Sequence, residues 1–154
     1  MCVFQGALSL PVWSDVKMTG LPSTEASLLV RTDFSDDTAW EETKAAALAE
    51  NDDGFRAYAQ VVDDATLREA TWQDLRGAAL DLEHRAAVLF IADRAALWGD
   101  HPIQVVDLSR DSRPPFRCLA RELWGVDNNL NLANMDWEDY ADNVEADGIY
   151  RGFY

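Results

Sequence analysis

Four aspartates stand where an oxygen-seeking cation can be held. Asp33 follows the apolar run Leu28-Leu29-Val30, Asp93 follows Val88-Leu89-Phe90-Ile91-Ala92, Asp107 follows Ile103-Gln104-Val105-Val106, and Asp36 lies just beyond Asp33. Runs of this kind read as strands, and in a parallel α/β sheet the carboxyl ends of the strands form the ligand crevice. Carboxylate oxygens gathered there suit Mg²⁺. The chemistry would be metal-assisted hydrolysis or phosphoryl transfer, with Asp33 or Asp93 as nucleophile or ligand and Arg31 or Arg94 steadying the charge. Local structure explains the same residues without a metal, because aspartate ends strands and opens helices in its own right. No glycine-rich phosphate loop and no positioned lysine accompanies them. The sequence therefore favours a chain without catalytic residues, metal or cofactor, with the Mg²⁺ centre of Asp33, Asp36, Asp93 and Asp107 as the alternative.

Nucleophilic catalysis has less to work with. The two histidines, His84 and His101, lie in no nucleophile elbow and lack the i, i+4 spacing of paired metal ligands. Both read as solvated loop residues. Cys2 and Cys118 form no ligand spacing and no framework of bridges, so two reduced thiols are expected.

A different chemistry is written in residues 122–147, which carry eight carboxylates and not one Lys or Arg. Asp136, Glu138, Asp139, Asp142, Glu145 and Asp147 follow one another closely, and like charges at i, i+4 on a helix repel by a few tenths of a kcal/mol per pair, about 1 kcal/mol over the run. Asparagine, a poor helix former, recurs at 128, 129, 131 and 134 beside Trp124 and Trp137. Its amides either face a partner or cap the break between two short helices. Trp124, Asn128, Asn129, Asn131, Asp136, Trp137, Glu138, Asp139 and Asp142 are the expected partner-binding residues. With a formal net charge of −15 over 154 residues, the field repels nucleic-acid phosphates and anionic lipid and attracts cationic proteins. A basic protein partner is expected, and neither nucleic acid nor membrane. The exposed Trp and Tyr side chains offer a homo-oligomer interface as a further alternative.

The elements that must position these residues follow from periodicity. About half the residues are apolar (48%), enough for a real core. A strand is expected over 27–34, then a helix capped by Ser35 with Trp40, Thr43 and Ala47 on one face. Alternation of Phe55, Ala57, Ala59 and Val61 with polar neighbours predicts a second strand. Thr71 and Asp74 make a capping box for a second helix through Leu82. The nearly all-apolar run 86–92 is the central strand, followed by strands at 103–108 and 116–119. A helix over 122–132 presents Leu123, Val126 and Leu130, and a last helix opens at Asp136 with Asp139 three residues on and runs to Gly148, before a terminal strand. The expected fold is α/β, a single domain with a mixed sheet of about five or six strands and helices packed on it. Residues 28–154 form this acidic domain and 1–27 an N-terminal extension, in which 1–17 resemble neither a signal peptide nor a membrane span.

The segments Leu28-Leu29-Val30-Arg31-Thr32-Asp33-Phe34-Ser35-Asp36-Asp37 and Glu122-Leu123-Trp124, with Asn128-Asn129-Leu130-Asn131-Leu132-Ala133-Asn134-Met135-Asp136-Trp137-Glu138-Asp139-Tyr140, resemble the signatures of an uncharacterised bacterial family common in actinobacteria, the DUF6924 domain. The resemblance spans about 28–153. Gly125 stands where the family pattern usually has Ser, and Trp137 and Tyr140 stand where it often has Phe. The resemblance implies a bacterial, cytoplasmic single domain and no mechanism.

Overall fold

The computed structural model describes residues 20–153. Of the expected extension, 1–27, residues 1–19 lie outside them, whereas Leu21 and Ser27 are buried against the domain. Six strands form one sheet: β1 (Leu28–Arg31), β2 (Gln60–Val62), β3 (Val88–Ala92), β4 (Pro102–Asp107), β5 (Phe116–Leu119) and β6 (Ile149–Tyr150), in the order β2-β1-β3-β4-β5-β6. β1 is parallel to β2 and β3, β4 is antiparallel to both its neighbours, and β6 is parallel to β5. The α/β fold with a mixed sheet is thus as the sequence predicts.

Four helices cover it: α1 (Asp37–Leu48), α2 (Trp72–Leu80), α3 (Leu123–Asn131) and α4 (Trp137–Ala141). The chain moves from β1 to β2 through α1, then back past β1 to β3 through α2. Two crossovers of the same right hand that travel in opposite directions must lie on opposite faces. The core divides accordingly. Trp40 and Ala47 of α1, with Leu123 and Val126 of α3 and Trp137 and Tyr140 of α4, pack on Leu29, Phe90, Val105 and Cys118. Leu75 and Ala79 of α2 pack on Leu28, Val30, Leu89, Ile91 and Val106, together with Leu21. Successive strand residues feed the two layers in turn, and β3 is buried along its whole length.

Three local expectations change. Asp36, not Ser35, caps α1 by accepting from Ala39 N at 2.9 Å, while Ser35 turns back to Asp33. The strand expected from Phe55 shortens to Gln60–Val62, because side chains of α3 hold its first residues: Tyr58 N donates to Asp127 Oδ2 at 2.9 Å and Arg56 O accepts from Asn128 Nδ2 at 3.4 Å. The last helix stops at Ala141, where a turn through Glu145 and Gly148, at a φ of +81°, leads into β6. The acids that follow Asp142 therefore share no helical face, and the repulsion expected along one does not accumulate. Among the described residues no helix is long and apolar enough to cross a membrane.

Candidate functional site

The four-aspartate centre is not assembled. Because β4 runs antiparallel to β3, Asp107 pairs with Val88 at the start of β3, whereas Asp93 follows its end. Five strand residues separate the two levels by roughly 16 Å, far beyond any shared ion, whose bonds are about 2.1 Å. Each carboxylate has local work instead. Asp93 holds Arg117 in a two-point pair at 2.9 and 2.6 Å. Asp107, buried, accepts from Ser109 N and Oγ, both at 2.8 Å, and from Arg113 N at 3.1 Å. Asp33 takes both Ser35 donors; its burial raises the carboxyl, but those bonds and the charges of Arg94 and Arg31 outweigh it and leave it below the ordinary range. No group of three or more potential ligands gathers among the described residues. His101, expected in water, instead places Nδ1 2.9 Å from buried Thr43 Oγ1, tying α1 to the loop before β4.

The expected partner-binding residues are split by α3. Successive helix positions turn by about 100°, so Asn128 faces Arg56 while Asn129 donates to Tyr140 Oη at 2.9 Å on the other side. Asn131 is structural: its Nδ2 reaches Ser27 Oγ at 2.8 Å and Asp127 Oδ1 at 2.9 Å, and its Oδ1 accepts from Ala87 N at 2.9 Å. One amide thus joins α3 to the entries of β1 and β3. On the outer flank, Phe55 stacks on half-buried Trp124 with ring centroids 5.2 Å apart, beside Tyr58. Phe55, Tyr58 and, at the end of this helix, Leu132 are 51%, 64% and 69% exposed.

On the inner flank, α4 lays Trp137 edge-on to Phe116 at 4.9 Å and Tyr140 against Tyr150 at 5.0 Å. Trp137 is only 6% exposed, so it is a core anchor and not a free contact residue. Tyr140 donates to Gly125 O at 3.0 Å, and burial raises its hydroxyl's pKa. Asp136, Glu138, Asp139 and Asp142 all point outward. Asp139 Oδ2 accepts from Asp136 N at 2.8 Å, as the expected cap requires.

Two cations from outside the acidic stretch answer part of its charge. Arg113 reaches Glu138 at 2.9 Å, Asp111 at 3.1 Å and Asp107 at 3.6 Å. Arg151 pairs with Glu145 at 2.9 Å and Asp147 at 2.7 Å, and its hydrogen bonds hold the Asp147 carboxyl below the usual aspartate range. Two hollows meet at Arg113 and Trp137. One, of about 600 Å³, lies at the foot of β3 with Glu25, Arg85 and Asp136 of mixed charge in its lining. The other, of about 410 Å³, is apolar between Pro114-Pro115 and α4, with Glu138 and Asp142 on its rim.

Sequence reasoning missed Asp127 and Arg113. Asp127 carried a signal, since its spacing of four from Leu123 and three from Leu130 puts it on a buried stripe. Arg113 carried none for its contact with α4, because Glu138 lies far along the chain from the loop that holds Arg113, Asp107 and Asp111.

Sheet order and opposed crossovers define an acidic three-layer α/β domain. Within that class, the chain belongs to the family described as a domain of unknown function, DUF6924, whose model matches residues 26–153. No curated protein and no solved structure matches the chain.

Proposed function

We propose that this domain is a non-catalytic, acidic binding module that docks a basic protein, in the manner of an inhibitor or immunity protein working in the cytoplasm of a bacterium. The observation that carries the reading is how the arginines are used. Arg31 lies buried between Asp37 at 2.6 Å and Asp63 at 3.3 Å, Arg117 is pinned to Asp93, and Arg113 and Arg151 each bind more than one carboxylate. These four arginines are held by carboxylates of the fold, and exposed acids remain on α4. Asp136, Asp139 and Asp142 have no ion pair among the described residues. A surface of this kind steers a cationic protein during encounter.

The test is an association rate. A basic protein captured by the full chain from host lysate is mixed with it at about 0.02 M and about 0.5 M salt, and the rate falls by about tenfold or more as screening shortens the field. A rate indifferent to salt refutes the reading. The exposed apolar side chains of Phe55, Tyr58 and Leu132 along α3 and its neighbour segment favour a second reading, a homo-oligomer closed through α3. Sedimentation of the chain beside a Leu132→Asp variant decides it: a dimer that the variant dissolves supports self-association, and a monomer in both excludes it.

A further inference from the structure

We propose that the groove between Pro114-Pro115 and α4 receives one lysine or arginine side chain of the basic partner, with its aliphatic stem on the groove floor and its head at Asp142 and Glu138. This rests on the docking reading above and gives that partner a point of entry. The groove is open to solvent and offers about 410 Å³, enough for one long side chain and the backbone on either side of it. Its walls are apolar, from Pro115, Phe116, Trp137 and Val144. Its rim is not, for Glu138 and Asp142 stand there, one turn of α4 apart.

That pairing selects an occupant. A wholly apolar side chain would strip water from Asp142 and return no bond, which is costly for a carboxylate. An acidic one meets like charge. Lysine and arginine alone lay a hydrocarbon stem along apolar surface and carry a cation at its end. The protein already contains a precedent, since Arg113 lines the groove and sets its Nε 2.9 Å from Glu138. Asp142 has no such cation among the described residues. A second copy of the chain brings the same net charge of −15 and is repelled.

The experiment uses the full ¹⁵N-labelled chain and, as probe, the peptide acetyl-Leu-Lys-Leu-Lys-amide, with the same peptide carrying Glu for Lys as control. The Lys peptide is expected to shift the Trp137 indole and the amides of Ala141 and Val144, and the Glu peptide to shift none of them. Asp142→Asn weakens binding about fivefold, whereas Asp53→Asn, an equal change of charge on the turn after α1, weakens it less than about twofold. Val144→Trp fills the groove without changing charge and removes the shifts, while its unperturbed remaining spectrum reports that it folds. Shifts confined to another surface, no shifts at all, or equal weakening by the two neutralised aspartates would overturn the groove. The docking reading would survive each of these so long as the captured basic protein still binds with salt dependence. Loss of that dependence removes both.

Discussion

Asp127 is the residue whose removal most directly tests how the two flanks of α3 are held. Its carboxylate is 3% exposed and accepts from Tyr58 N and Asn131 Nδ2, each at 2.9 Å. Hydrogen bonds to a charged group contribute about 1.5–3 kcal/mol each. Water reaches the exposed 55–58 segment and Asn131 keeps Ser27 Oγ, so the lower end applies and Asp127→Ala should cost about 3 kcal/mol. At this chain length that is a fall in Tm of about 9 °C. Asp127→Asn retains one acceptor but points a donor at a donor, and should lose about half to two-thirds as much. Urea unfolding followed by circular dichroism gives the loss, with an unchanged slope against denaturant showing that stability and not compactness has moved. Hydrogen exchange at Tyr58 N should accelerate in both variants. A double-mutant cycle with Asn131→Ala should give a coupling of about 1 kcal/mol. A loss under about 0.5 kcal/mol for Asp127→Ala, or no coupling to Asn131, would show that α3 does not organise residues 55–58 and that the reasoning is wrong.

Trp137→Ala should cost about 3–5 kcal/mol, because it empties the contact with Phe116 under α4; a loss of the size of a surface substitution in thermal unfolding would contradict its place in the core. Acid should destabilise the fold below about pH 4. Asp33, Asp64 and Asp147 have carboxyls held below the ordinary aspartate range, Asp64 by Thr66 and Asp147 by Arg151. Groups lowered on folding add stability above their unfolded value and lose it as pH falls through the folded one, so Asp147→Asn should flatten the acid limb of a stability–pH curve. Glu122 acts in the opposite sense: burial raises its carboxyl, and its cost to the fold disappears as pH falls toward the ordinary glutamate range. Cys118 is buried and burial pushes its thiol well up, so in a Cys2→Ser background native protein should resist iodoacetamide at pH 8 and react only when urea unfolds it.

Where one layer of packing sets the pattern, the sequence was readable. The apolar run Val88–Ala92 is the central strand, Thr71 with Asp74 opens α2, and Leu123 with Val126 faces the core. Reading failed where distant groups compete for the backbone. Alternation predicted a strand from Phe55, yet Asp127 and Asn128, some 70 positions on, take the Tyr58 N–H and the Arg56 carbonyl. The direction of β4 was equally invisible, since an apolar strand reads the same up or down, and that direction alone parts Asp107 from Asp93. Carboxylates that look like a set in sequence become a set only if topology brings them to one end of the sheet. The partner-binding residues fared similarly: α3 sorts neighbouring asparagines onto opposite flanks, a distinction of one residue in register.

The charge of this domain is a property of its fold as much as of its composition. An arginine loose beside Asp142 would answer that acid as Arg113 answers Glu138, and a partner would have to displace it. Instead Arg31 and Arg117 are held by residues of other elements, and Arg151 is held at the end of β6 by Glu145 and Asp147. Their side-chain freedom is already lost on folding, so a partner need not order them again. Asp142 stands exposed beside an apolar groove, so in the proposed docking a cation lying along Pro115 and Val144 would meet it without rearrangement of the protein. In that proposal the field would bring many basic proteins close. The groove, which a flexible acidic tail would lack, would then discriminate among them by where their lysines and arginines are placed.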